Sequence, residues 1–155
     1  MKILLLANHA SPHIIKWATA LAERNFRILI FSLTAQEVFH YPPELGIQVV
    51  SAGLSLQTIR TKGSRLVKLR YLKSLSRLKQ AIAEFQPDIL HAHRASSYGL
   101  LGVLSGFAPR ITSVWGEDVF DFPKRSIVHG LLLKFVLARS TCVLSSSRVM
   151  AEETA

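Results

Sequence analysis

Apolar residues along this chain follow two alternating periods. Short apolar-rich runs at residues 2–7, 27–32, 46–51, 89–93, 111–115 and 141–144 predict strands, and the continuous run at 2–7 predicts one covered on both faces. Between them, apolar positions recur every three or four residues and predict helices. The first helix opens at Ser11-Pro12, a capping residue followed by a proline suited to the first turn, and Asn25 closes it in a left-handed conformation. Its apolar face is Ile14, Trp17, Ala18, Leu21 and Ala22. Further helices are expected over 64–85, 96–106 and 126–139, and from Arg148 behind the capping serines Ser145, Ser146 and Ser147. Strand-helix alternation of this kind predicts an α/β fold, a Rossmann-like parallel sheet with helices on both faces.

The interruptions are as informative as the runs. Residues 34–45 are irregular, with Pro42-Pro43 blocking regular structure, and 53–63 form a polar loop. No glycine follows the first strand, where the sequence is NHASPH. A G-x-G-x-x-G turn for a dinucleotide pyrophosphate is therefore absent, which counts against a nicotinamide or flavin enzyme. The helix over 64–85 has a core stripe of Val67, Tyr71, Leu75, Leu78, Ile82 and Phe85. Its other side carries Arg65, Lys68, Arg70, Lys73, Arg77 and Lys79, with Leu66, Leu69 and Leu72 among the cations.

At 155 residues and 49% apolar composition the chain is one domain with a core, not a disordered segment. Cys142 is the single cysteine, which excludes a disulfide framework and suits a reducing cytosol. The apolar start of the chain is too short for a signal peptide, and no run reaches membrane-spanning length. A formal net charge of +9 favours anionic partners such as phosphorylated ligands or an acidic membrane surface. The cationic helix offers a specific surface for the latter: Arg65, Lys68, Leu69, Arg70, Leu72 and Lys73 suit an anionic bilayer. The competing interpretation is a solvated helix face. Without interleaved aromatics or a binding motif, nucleic acid is not an expected partner.

Candidate chemistry gathers behind two strands. In an open parallel sheet, groups at the carboxyl ends of strands converge on one crevice. His91, His93 and Arg94 end the fourth strand, and Trp115, Gly116, Glu117 and Asp118 follow the fifth. An imidazole at His93 can hydrogen-bond a ligand hydroxyl and relay a proton, or it can be a strand-end histidine bonded to backbone. His91 lies deeper and suits a satisfied core histidine. Asp118 and Glu117 can orient a hydroxyl or fix the His93 ring, or can cap the following turn. Trp115 can stack on a ligand ring or belong to the core. His9 and His13 flank the first loop, where a helix N-terminus attracts phosphate. The histidines and the cysteine show no metal-ligand spacing, and no G-x-S-x-G elbow indicates a hydrolase.

HIIKWATALAERNFRILIFS, PDILHAHRASSYGLLGVLSG, SVWGEDVFDFP and CVLSSSRVMAEE together resemble the N-terminal, acceptor-side half of family 4 ("group 1") glycosyltransferases of the GT-B fold. Trp115 departs from the histidine common in that family. The resemblance implies half of a two-domain, retaining-type hexosyltransferase whose missing C-terminal domain binds the nucleotide-sugar donor and carries an E-x7-E pair. Taken with the strand-end and loop positions, and with the resemblance adding weight to His93, the expected catalytic residues are His93 and Asp118 and the expected substrate-binding residues are His9, His13, Arg94, Trp115, Gly116 and Glu117. A glycan or lipid-linked acceptor, no metal or other cofactor, and a cytoplasmic protein peripheral to the membrane are expected from these features together. Because the chain stops about two turns into a helix, truncation near the domain's end and inactivity of the isolated chain are expected. The alternative is a non-catalytic α/β module that binds an anionic ligand, a membrane or a partner chain.

Overall fold

A computed structural model of the protein describes residues 1–35, 41–54 and 65–154, with side chains of 65–72 excepted. Six parallel strands and their connecting helices give the Rossmann-like α/β class that the periodicity predicts. The chain divides into two compact units, Met1–Asp88 and Ile89–Ala155.

In the first unit, strands β1 (Lys2–Leu6), β2 (Arg27–Thr34) and β3 (Gln48–Leu54) run in the order β3-β2-β1. Leu4 faces Leu29 and Leu6 faces Phe31 across the β1–β2 ladder. Alternation sends Ile3, Leu5, Ile28 and Ile30 to one side, where helix α1 (Pro12–Ala22) adds Ile14 and Ala18. Leu4, Leu6, Leu29 and Phe31 are buried on the other side, so both faces are covered as the unbroken runs imply. Burying such side chains contributes roughly 1.5–3 kcal/mol each before chain entropy is counted.

Several local expectations change here. Trp17 is 44% exposed and lies outside the buried stripe of α1, because Ile14 and Ala18, four apart, already meet the sheet. Ser11 makes no side-chain cap; the side chain of Asn8 instead accepts the Ala10 N–H at 3.1 Å. Asn25 does take the left-handed conformation, with φ 62°. Strand β3 begins two residues late because Gly46, at φ 60°, ends a turn at Pro43–Leu45.

Helix α2 (Arg65–Phe85) packs on β2 and β3. Of its predicted stripe, Leu78 and Phe85 are buried and Leu75 and Ile82 are half-buried, with Ser74 and Ala81 completing the covered face. Val67 and Tyr71, with the proposed membrane residues Arg65, Lys68, Leu69, Arg70 and Leu72, have side chains outside the described residues, while Lys73 is exposed.

In the second unit, β4 (Ile89–His93), β5 (Arg110–Ser113) and β6 (Cys142–Leu144) run in that order. A wide turn at Ala95–Gly99 leads into α3 (Leu100–Ser105), and α4 (Ile127–Ala138) and α5 (Arg148–Thr154) follow. The core gathers Ala95, Val103, Val114, Val119, Leu133, Val136 and Met150. Gly99 lets the turn approach α4: a Cβ there would sit 2.8 Å from Val136 Cγ1. Ser126 caps α4 by accepting the His129 N–H, and Ser147 caps α5 by accepting the Met150 N–H at 3.2 Å. β6 is exposed along its length, Cys142 included.

Candidate functional site

The second unit brings together the residues that the strand-end pattern singles out. β5 stops at Ser113, two residues earlier than expected, so Trp115 belongs to the loop rather than the strand. His91 and His93 lie on one face of β4 by alternation, with ring centroids 4.2 Å apart. Across the ladder, His91 Nε2 meets Ser113 Oγ at 2.8 Å. Both rings are only 4% exposed. Burial disfavours the imidazolium and lowers the His91 pKa from 6.5 to about 4. Burial lowers that of His93 to about 3, helped by repulsion from a charged His91. Both rings are therefore neutral near pH 7. His93 is equipped to orient a partner by hydrogen bonding; carrying the proton of a relay is costly there.

Asp118 is fully buried and holds the two strand-end loops together. Its Oδ2 accepts the Ala95 N–H at 3.0 Å and the Trp115 N–H at 3.1 Å. Oδ1 accepts the Ser96 N–H at 3.1 Å and the Ser96 hydroxyl at 2.5 Å. Four donors occupy a carboxylate that solvent does not reach, so its geometry is that of a brace rather than of a group touching substrate. The Asp118 side chain is thus engaged with the two loops through both of its oxygens. It caps a turn, but chiefly the one behind β4 and not the one that follows it in sequence.

At the rim, Glu117 pairs with Arg94 through Oε2 and with Arg125 through Oε1, the latter at 3.0 Å. The Arg94 guanidinium lies 5.9 Å from the centre of the Trp115 ring. Arg94 itself has φ 81°, a conformation that costs a non-glycine residue free energy. Its N–H donates to the Ser113 carbonyl at 3.0 Å and its carbonyl accepts from Gly99 at 2.9 Å, which hold it there. Gly116 has φ −52° and space for a Cβ 3.7 Å from Phe120, so the backbone makes no demand for glycine at this position.

A sequence model of the family described as "Glycosyl transferase 4-like" matches residues 2–147. The chain belongs to the glycosyl transferase 4-like family. Comparison with curated proteins finds no match. Among solved structures, sucrose-phosphate synthase from Thermosynechococcus elongatus is similar with a TM-score of 0.64 at 15% identity, over 92% of this chain and 41% of that one. MurG from Acinetobacter baumannii gives 0.61 at 11%, over 94% and 41%. A putative UDP-N-acetylglucosamine 2-epimerase from Listeria monocytogenes gives 0.63 at 14%, over 99% and 41%. These likenesses are of fold, the GT-B type, and the chain spans about two-fifths of the length of each of these three proteins (41%).

In this glycosyl transferase 4-like chain, His93, Arg94, Trp115, Gly116, Glu117 and Asp118 fall in one neighbourhood of the second unit. His9 and His13 belong to the first unit: His9 is buried, its carbonyl accepting the Tyr41 hydroxyl at 2.6 Å, and His13 is exposed at the start of α1. Sequence reasoning did not find Arg125, Ser96 or Ser113. Arg125 sits in a PKRS segment that reads only as a helix entry, and the two serines carry no motif. Among the described residues, no three His, Cys, Asp or Glu side chains gather as metal ligands, and no helix is long and apolar enough to cross a membrane.

Proposed function

We propose that the chain is the acceptor-binding part of a glycosyltransferase that moves a sugar from a nucleotide-sugar donor to a hydroxyl of a glycan or lipid-linked acceptor. The observation that carries this is a pair of strand ends, in a glycosyl transferase 4-like chain, whose loops are locked by one buried carboxylate. His93, neutral, orients the acceptor hydroxyl; Asp118 positions the loops, and Arg94, Trp115 and Glu117 line the rim. The donor site and its glutamate pair belong to a second domain, and the reaction retains configuration, as in the family the sequence resembles. Transfer by these 155 residues alone is not expected, since one wall of the cleft lacks the groups that hold the donor. The test is glycan binding by the chain and by His93→Gln. The variant should fold and lose at least tenfold in affinity for whichever glycan binds; equal binding would overturn the role of His93, and no binding to any glycan would overturn the proposal.

A second reading, association with an anionic membrane, has support from α4 in addition to the cationic pattern of α2. Ile127, Val128, Leu131 and Phe135 are 83%, 71%, 62% and 39% exposed. Lys124, Lys134 and Arg139 are exposed with them, and no acidic residue occurs from Phe122 to Ala151. Replacing the three cations with glutamate should abolish sedimentation with phosphatidylglycerol vesicles; unchanged sedimentation would remove this reading.

A further inference from the structure

The rim of the candidate site holds one carboxylate between two guanidiniums. We infer that Glu117 is an internal stand-in for an anionic ligand group, and that Arg94 and Arg125 form a two-pronged oxyanion site which opens when Glu117 swings out. The inference rests on the sugar-binding reading of these strand ends and narrows the substrate class to sugars that carry a carboxylate or phosphate.

Each oxygen of Glu117 is taken by a different arginine, so a single negative charge faces two positive ones. Guanidinium forks match carboxylate and phosphate oxygens geometrically, which a lone lysine does not. An incoming phosphate replaces Glu117 and adds charge where the pair still has an excess of one cation. Asp118, the nearest other acid in the chain, already has its oxygens filled by four donors, and it is fully buried. The imidazoles of His91 and His93 add no charge.

The latch is weakly held. Side-chain exposures of 37% for Arg94, 49% for Glu117 and 44% for Arg125 put all three at the wet edge of the site. Exposed pairs contribute at most about fivefold in equilibrium terms, so a ligand group can displace Glu117 readily. One prong, by contrast, is fixed. The backbone of Arg94 is locked in its left-handed conformation by hydrogen bonds to Ser113 and Gly99, and Trp115 lies beside its guanidinium. Its Nε is buried and has no hydrogen-bond partner among the described residues. A strained, tethered arginine beside a releasable carboxylate is the arrangement expected of a preorganised anion site.

The experiment is calorimetric titration of the whole chain at low ionic strength with glucose 6-phosphate, glucuronate, glucose and inorganic phosphate. The proposal expects at least one charged sugar to bind tenfold or more tighter than glucose. Glu117→Gln, which keeps the shape and removes the charge, should tighten that binding about fivefold. Arg125→Gln, at an exposed position, should weaken it by a similar factor; near-UV circular dichroism checks that each variant folds. Preference for the phosphate sugar or for glucuronate tells which oxyanion is meant. Glucose binding as tightly as the charged sugars, no anion binding at all, or anion affinity that is unchanged or lowered in Glu117→Gln would overturn the anion site. If inorganic phosphate binds and responds to Glu117→Gln while no sugar binds, the anion site stands and the glycosyltransferase reading falls.

Discussion

β1 and β4 are built to one plan and filled differently. Each is a five-residue parallel strand with four consecutive buried positions. β1 fills them with Ile3, Leu4, Leu5 and Leu6; β4 fills them with Leu90, His91, Ala92 and His93. An apolar strand needs only coverage. A strand with two buried imidazoles also needs polar partners, because an unsatisfied polar group in the interior costs about 1–3 kcal/mol. β4 meets that need at Ser113, and the loop behind it needs Asp118. The chain accepts this cost in one strand, at the end where its polar groups gather, and avoids it in the other.

If the brace behind β4 is what distinguishes the two strands, removing it should have the largest effect. Asp118→Ala leaves the Ala95, Ser96 and Trp115 N–H groups without their acceptor and should cost about 4 kcal/mol in urea unfolding. A loss below about 1 kcal/mol would make the brace an incidental contact. The next effect is on acid stability. His91 and His93 have folded pKa values below the usual 6.5, so between pH 6.5 and about 4 the unfolded chain binds protons that the folded chain refuses. Their stabilisation is complete above about pH 7 and is lost as the pH falls. Between about pH 7 and 4.5 the loss from the two rings together should be on the order of 5 kcal/mol. His93→Gln should flatten that slope in pH-dependent unfolding; an unchanged slope would show that other groups set it. The smallest contrast is between two helix entries. Ser126→Ala removes a cap from α4 and should cost about 1 kcal/mol, whereas Ser11→Ala, where no side-chain cap exists, should cost less than about 0.5 kcal/mol. Equal losses in thermal unfolding would erase the distinction.

Much of this fold was legible because strand interiors are written in consecutive residues. The runs at 2–7 and 27–32 read as strands, the first covered on both faces, and both are buried strands in the structure. The polar tips of β4 and β5 were legible for the same reason, as was the left-handed Asn25. The wheel of α1 misplaced Trp17 because a helical stripe is wider than the sheet edge it meets, and a bulky indole at its margin stays in solvent. The role of Asp118 was half legible: a capping acid is a local signal, but its donors at Ala95 and Ser96 stand more than twenty residues upstream.

What sequence alone determined, then, is the set of elements, their order, and which strand ends carry polar groups. Each of those depends on neighbours within a few positions, where period and side-chain chemistry decide. Which groups meet at those ends was decided by tertiary structure. The β4–β5 register sets His93 opposite Ser113 and brings Asp118 to the loop behind β4, and the turn after β5 swings Arg125 onto Glu117. Hydrogen bonds reach about 3 Å, so the sharing of one carboxylate by two distant loops is a fact about packing that no local pattern encodes.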